Sequence, residues 1–128
     1  MNLGESAAKT IVGALLAAVP FDRIDAAVAP SFPCLRAVLD AAAGTALAVG
    51  AQNMHWAAKG AFTGEVAPPM LFEMGVRFVI VGHSERRALF GETDATVSRK
   101  VVAARRHGLA PIVCVGENEA QRNEGKTR

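Results

Sequence analysis

Arg77-Phe78-Val79-Ile80-Val81-Gly82 holds an apolar, largely β-branched run, Phe78–Val81, that stops at a glycine. No polar residue alternates within Phe78–Val81, so the run reads as a strand buried on both faces, the pattern of a parallel sheet covered by helices. Upstream, Pro68-Pro69 opens a short helix through Met74 that Gly75 closes. Downstream, 92–107 carries helical spacing, with Val97, Val101 and Val102 inward and Gly108 as the stop. Pro111-Ile112-Val113-Cys114-Val115 then reads as another strand, and the polar segment from Asn118 to Arg128 is helix-prone.

The same alternation extends toward the N-terminus. A helix opens at Glu5 or Ser6, presents Ile11, Val12, Leu15 and Leu16 as its apolar stripe, and stops at Pro20. Asp25 to Ala29 is a short strand. Ser31 caps a helix with Leu35, Val38 and Leu39 on one face and Gly44 at its end, and Ala46 to Gly50 is the next strand. Residues 51–67 break the rhythm: polar, glycine-containing and holding the only tryptophan, Trp56, they form a loop long enough to suggest function. Strands alternating with amphipathic helices predict an α/β fold with a parallel sheet and right-handed crossovers. This pattern fits an open doubly wound sheet and part of a barrel equally, although no glycine-rich dinucleotide fingerprint follows the first strand.

Composition bounds the function classes. The chain has 128 residues, enough for one domain with a real core, and its net charge of +2 gives no strongly basic surface. The basic residues are dispersed and aromatics are few, so no nucleic-acid partner is expected. The apolar run Ile11–Val19 is too short to span a bilayer, and Met1–Glu5 lacks the basic start of a signal peptide. Cys34 and Cys114 stand far apart and form no C-x-x-C pair, which favours two reduced, buried thiols over a disulfide. His55, His83 and His107 have no metal-ligand spacing with them, so no metal is expected. Ala120 to Thr127 fits a relaxed Walker A pattern, but a phosphate cradle needs bare backbone amides, and this stretch has one glycine and an acidic Glu124.

Four segments carry a resemblance: Gly50-Ala51-Gln52-Asn53-Met54-His55-Trp56; Gly60-Ala61-Phe62-Thr63-Gly64-Glu65; Val79-Ile80-Val81-Gly82-His83-Ser84-Glu85-Arg86-Arg87, running on to Phe90-Gly91-Glu92-Thr93; and Pro111 to Glu117. In order and spacing, with Gly125-Lys126-Thr127 at the expected place, they resemble the triosephosphate isomerase family along essentially the whole chain. The resemblance implies that residues 1–128 are an incomplete domain of that type: a partial (β/α)8 TIM barrel containing strands two to five, of a fold typically about 250 residues long. It further implies that the chain begins and ends inside the family's domain. The phosphate-steering lysine would stand just before Met1. The glutamate base, the mobile lid and the glycine-rich phosphate loops would lie beyond Arg128.

The implied chemistry interconverts dihydroxyacetone phosphate and glyceraldehyde 3-phosphate through an enediolate, with no cofactor. His83 matches the family's electrophile, a neutral histidine that polarises the carbonyl oxygen; the helix N-terminus that favours the neutral ring is already established for that family. Ser84 and Glu85 match its supporting shell, although Glu85 would lack the lysine beside it. Thr63 at its tip and Glu65 match the loop by which one subunit of a homodimer reaches the other's active site, with Gly60 and Gly64 allowing the turn. Arg86 and Glu92 are expected as an exposed ion pair near that interface. A cytoplasmic enzyme acting on a triose phosphate is the family expectation, and the chain alone is expected to be inactive. The other readings are a non-catalytic barrel remnant acting as an assembly or interaction module, and an autonomous open α/β phosphate-binding domain. An incomplete barrel would also expose the inward faces of Val28, Val49, Ile80 and Val113, and self-associate.

Overall fold

A computed structural model describes residues 2–117 and 122–125. Its elements run α1 (Glu5–Ala18), β1 (Ala27–Val28), α2 (Phe32–Ala41), β2 (Ala48–Ala51), α3 (Pro68–Met74), β3 (Phe78–Val81), α4 (Ser84–Leu89), α5 (Asp94–Arg106) and β4 (Ala110–Val113). The four strands form one parallel sheet in the order β1-β2-β3-β4. Sequence neighbours are therefore sheet neighbours, joined by the intervening helices as parallel pairing requires.

Register fixes which side chains share a face. Val28 pairs with Val49, Ala51 with Val79, and Val81 with Val113, so these residues point to one side. That side faces the helices: Val49, Ala51, Val79 and Val81 are buried against Leu35, Val38, Leu71, Val97 and Ala104. The opposite face carries Gly50, Phe78, Ile80 and Ile112. Phe78 lies across Gly50, where any Cβ would collide with the ring. Ile112 is half open to solvent.

The expected set of exposed inward residues therefore mixes two faces. Ile80 belongs to the open face, whereas Val28, Val49 and Val113 belong to the helix side, and Val49 is buried. A run without polar alternation does not reveal which parity faces which layer, and the error arises there. Val102 also needs correcting, being exposed. It lies about 140° around the helix from Val97, while Lys100 and Ala104 share the buried stripe. In α1 the buried residues are Ala8 and Val12, Ile11 is exposed, and Leu16 packs at the edge of the core. The last strand ends at Val113 and leaves Val115 outside it. α5 starts two residues later than expected because Thr93 and Thr96 form a reciprocal capping box.

Cys34 and Cys114 are free thiols, and Cys34 donates weakly to the Leu3 carbonyl at 3.6 Å. No helix among the described residues is long and apolar enough to cross a membrane. Most of the expected C-terminal helix, with Ala120, Gln121, Lys126 and Thr127 of the Walker-like stretch, lies outside the described residues, as does Met1.

Candidate active site

The site is built at the end of β3. Gly82 follows the strand with φ +73°, a left-handed conformation that suits glycine. A Cβ there would crowd Arg87 at 3.0 Å and two methyl carbons of Val97 at 3.2 and 3.3 Å, so a side chain would strain the backbone and require its neighbours to shift. The turn delivers His83 to the N-cap of α4. Its Nδ1 accepts the Glu85 backbone N–H at 3.3 Å, and its C=O accepts from the Arg87 N–H at 3.0 Å. A nitrogen that accepts cannot carry the proton, so this geometry puts the N–H of a neutral ring on Nε2. The Glu85 carboxylate is 3.8 Å from the same Nδ1, beyond hydrogen-bond reach, and that side chain is 76% exposed; the backbone bond therefore sets the tautomer. The His83 side chain is half open to solvent, and Ser84 is exposed.

Behind this turn lies a polar cluster. The Gly82 N–H donates to Glu92 Oε2 at 3.1 Å, and the Gly82 carbonyl accepts from Arg87 Nε at 2.8 Å. Glu92 accepts from Lys100 through its other oxygen, and Lys100 Nζ also donates to Asn53 Oδ1 at 2.7 Å. The Glu92 and Lys100 side chains are 2% and 5% exposed. The expected exposed pair of Arg86 with Glu92 is thus corrected. Arg86 Nε stands 3.8 Å from a buried carboxylate, and that nitrogen has no hydrogen-bond partner among the described residues. Asn53, Arg87 and Lys100 are not legible in the sequence as members of this cluster. A lysine on the inward stripe of α5, in helical register with Val97 and Ala104, was the available signal for one of them.

The loop 51–67 packs beside this cluster. His55 donates its backbone N–H to Val66 at 2.9 Å, and its ring stacks on Trp56 and tilts against Phe62, each with centroids 4.1 Å apart. The Arg99 guanidinium lies over Trp56, 5.6 Å from its centroid. Thr63 and Glu65 are exposed on this loop and line a cavity of about 340 Å³ together with Arg86, Phe90 and Glu92. His83, Ser84 and Glu85 do not line that cavity. The predicted residues therefore form two groups, the His83 turn and the Thr63 loop. Among the described residues, no cluster of three or more His, Cys, Asp or Glu could hold a metal ion.

The family model of triosephosphate isomerase matches residues 1–128. The chain belongs to the triosephosphate isomerase family. A triosephosphate isomerase of Acetivibrio thermocellus is 53% identical over 127 residues, covering 99% of this chain and 51% of that protein. One from a Synechococcus strain is 60% identical over 96 residues, covering 75% of this chain and 38% of that protein. The crystal structure of the triosephosphate isomerase of Bartonella henselae superposes with a TM-score of 0.91 at 34% identity, covering 99% of this chain and 53% of that one. The chain thus spans about half the length of relatives that match it end to end. Its parallel sheet and helices are part of a TIM barrel.

Proposed function

We propose that this chain supplies the electrophilic half of a triose-phosphate isomerase site. The complete site interconverts dihydroxyacetone phosphate and glyceraldehyde 3-phosphate. A carboxylate base removes a proton from the carbon beside the carbonyl. The Nε2–H of His83 hydrogen-bonds the carbonyl oxygen as negative charge develops there; the enediolate is reprotonated on the neighbouring carbon, with the hydroxyl proton passing from one oxygen to the other so that the second carbonyl forms. The observation that carries this reading is the Glu85 N–H on His83 Nδ1, which leaves Nε2 as the donor of a neutral ring. Ser84 and Glu85 form the opening of the same helix and support the turn. Thr63 and Glu65, exposed on a loop braced by the His55, Trp56 and Phe62 rings, are suited to reaching a second subunit of a homodimer. A cytoplasmic location belongs to the same proposal.

No position of this sequence matches the family's glutamate base, and a general base typically supplies about 10²–10⁴ in rate. The 128 residues by themselves are therefore expected to be inactive. A purely assembling module is the second reading, favoured by the exposure of Phe62, Leu89 and Phe90 around the loop and α4.

A coupled isomerase assay separates the two. The purified chain is assayed alone and after co-refolding with the segment of the Acetivibrio thermocellus relative that lies beyond the matched region. The isomerase reading expects activity only after co-refolding, reduced about 10²–10⁴-fold by His83→Gln. A folded complex that stays silent, or one indifferent to His83→Gln, sinks it and favours the assembling module.

A further inference from the structure

Gly82 has a left-handed φ that strains any other residue, and a Cβ there would crowd Arg87 and the Val97 methyls, so a bulkier residue is a poor way to stiffen the backbone before His83. The hydrogen bond that orients the ring is long, 3.3 Å, and weak on its own. The orientation of the His83 ring therefore needs restraint from outside the turn.

That restraint is present on both polar ends of the Gly82 peptide unit's residue. Glu92 takes its N–H and Arg87 grips its C=O. Glu92 is held in turn by the buried Lys100 ammonium, and Arg87 by Asp94 at 2.7 Å. Bonds to charged partners are about twice as strong as neutral ones, so this is a firm grip. Burying a carboxylate and an ammonium is costly, and one use of such a pair is to specify a single conformation. We propose that Glu92 and Arg87 are positioning residues for His83: by clamping Gly82 from two sides they hold the ring with Nδ1 on the Glu85 amide and Nε2 outward. The functional meaning of this clamp rests on His83 being the electrophile; its geometry does not.

The test is solution NMR of the full chain, with or without isomerase activity. Two signals are read: the imidazole ¹⁵N shifts of His83, assigned by their loss in His83→Gln, and hydrogen exchange at the Gly82 amide. In the unaltered chain His83 shows an Nε2–H tautomer with an accepting Nδ1. Glu92→Gln is expected to speed Gly82 exchange about tenfold and to move His83 toward tautomer averaging, while His55 and His107 keep their signals. Arg87→Gln moves His83 in the same direction. Arg87→Lys, which can still donate to the Gly82 carbonyl, returns it toward the starting spectrum. His83 signals unchanged in both folded Gln variants, or changed in only one, overturn the two-sided clamp. If Glu92→Gln fails to fold, Arg87→Gln decides alone, because Arg87 is partly exposed and does not touch the Lys100 pair. An isomerase assay that fails leaves this outcome standing, and a failed clamp leaves the assay standing.

Discussion

The ion pairs of this molecule include a buried one and exposed ones, each made of a basic side chain and a carboxylate. Lys100–Glu92 is sealed between α5, the exit of β3 and the loop after β2. Lys9–Glu5 and Arg36–Asp40 lie along α1 and α2 at i, i+4 spacing, with every side chain more than half exposed. The buried pair touches the exit of β3 and the loop after β2, whereas each exposed pair joins two side chains of one helix; Arg36 adds only an exposed 3.4 Å bond to the Met74 carbonyl, and Lys9–Glu5 stays within α1. Burial turns a charge pair into a tertiary constraint; exposure leaves it a local helix contact.

Breaking the buried pair is the strongest way to test that contrast. Lys100→Met leaves the Glu92 carboxylate buried without its ammonium, and Arg86 Nε, 3.8 Å away, lies beyond hydrogen-bond reach of it. The expected loss is about 3–5 kcal/mol in urea unfolding. Adding Glu92→Gln should recover most of it, since the buried charge is then gone from both sides and one oxygen remains for the Gly82 N–H. A double variant no more stable than Lys100→Met would mean that packing, not charge pairing, dominates there.

Thr93→Ala tests the middle of the scale. Thr93 and Thr96 cap α5 with two reciprocal bonds of 3.3 and 2.9 Å at the surface, immediately after the buried Glu92. Loss of the cap is expected to cost about 1 kcal/mol by the same unfolding measurement. A loss as large as that of Lys100→Met would show that the cap also secures Glu92, and the line between surface and buried effects would move.

How legible the molecule is in its sequence follows the same division between local and tertiary. The strand Phe78–Val81, its glycine stop and the helix opened by Pro68 are all readable, because each is written in neighbouring residues. The sheet's face assignment is not readable, since Val49 and Ile80 are both β-branched aliphatics and only register separates them. The site divides likewise. His83, Ser84, Glu85, Thr63 and Glu65 come from contiguous motifs. Asn53 and Lys100 lie 47 residues apart, and nothing local announces that their side chains meet. Glu92 reads as a surface residue, because its partner on α5 comes from the helix's inward stripe, where a lysine is not expected.

The exposed end of the comparison should show the smallest effect and a definite pH signature. Lys9 is held above its ordinary value of 10.5, first by its hydrogen bond to Glu5, then by the Glu5 charge, with a lesser contribution from Asp40. A lysine whose folded value exceeds its unfolded one adds stability that is fully present below the unfolded value and disappears as pH rises through the folded one. Glu5→Gln should therefore lower the melting temperature only slightly at neutral pH. The difference should stay constant up to the ordinary lysine range and vanish above it, and about 1 M salt, where the Debye length is about 3 Å, should erase it at any pH. Glu5 also sits in the first turn of α1, where a carboxylate complements the helix dipole. That contribution does not depend on Lys9, so a difference persisting in strong alkali would assign the effect to the helix end rather than to the pair. A difference approaching that of Lys100→Met would refute the contrast itself, because it would mean that an exposed pair on one helix constrains the fold as a buried one does.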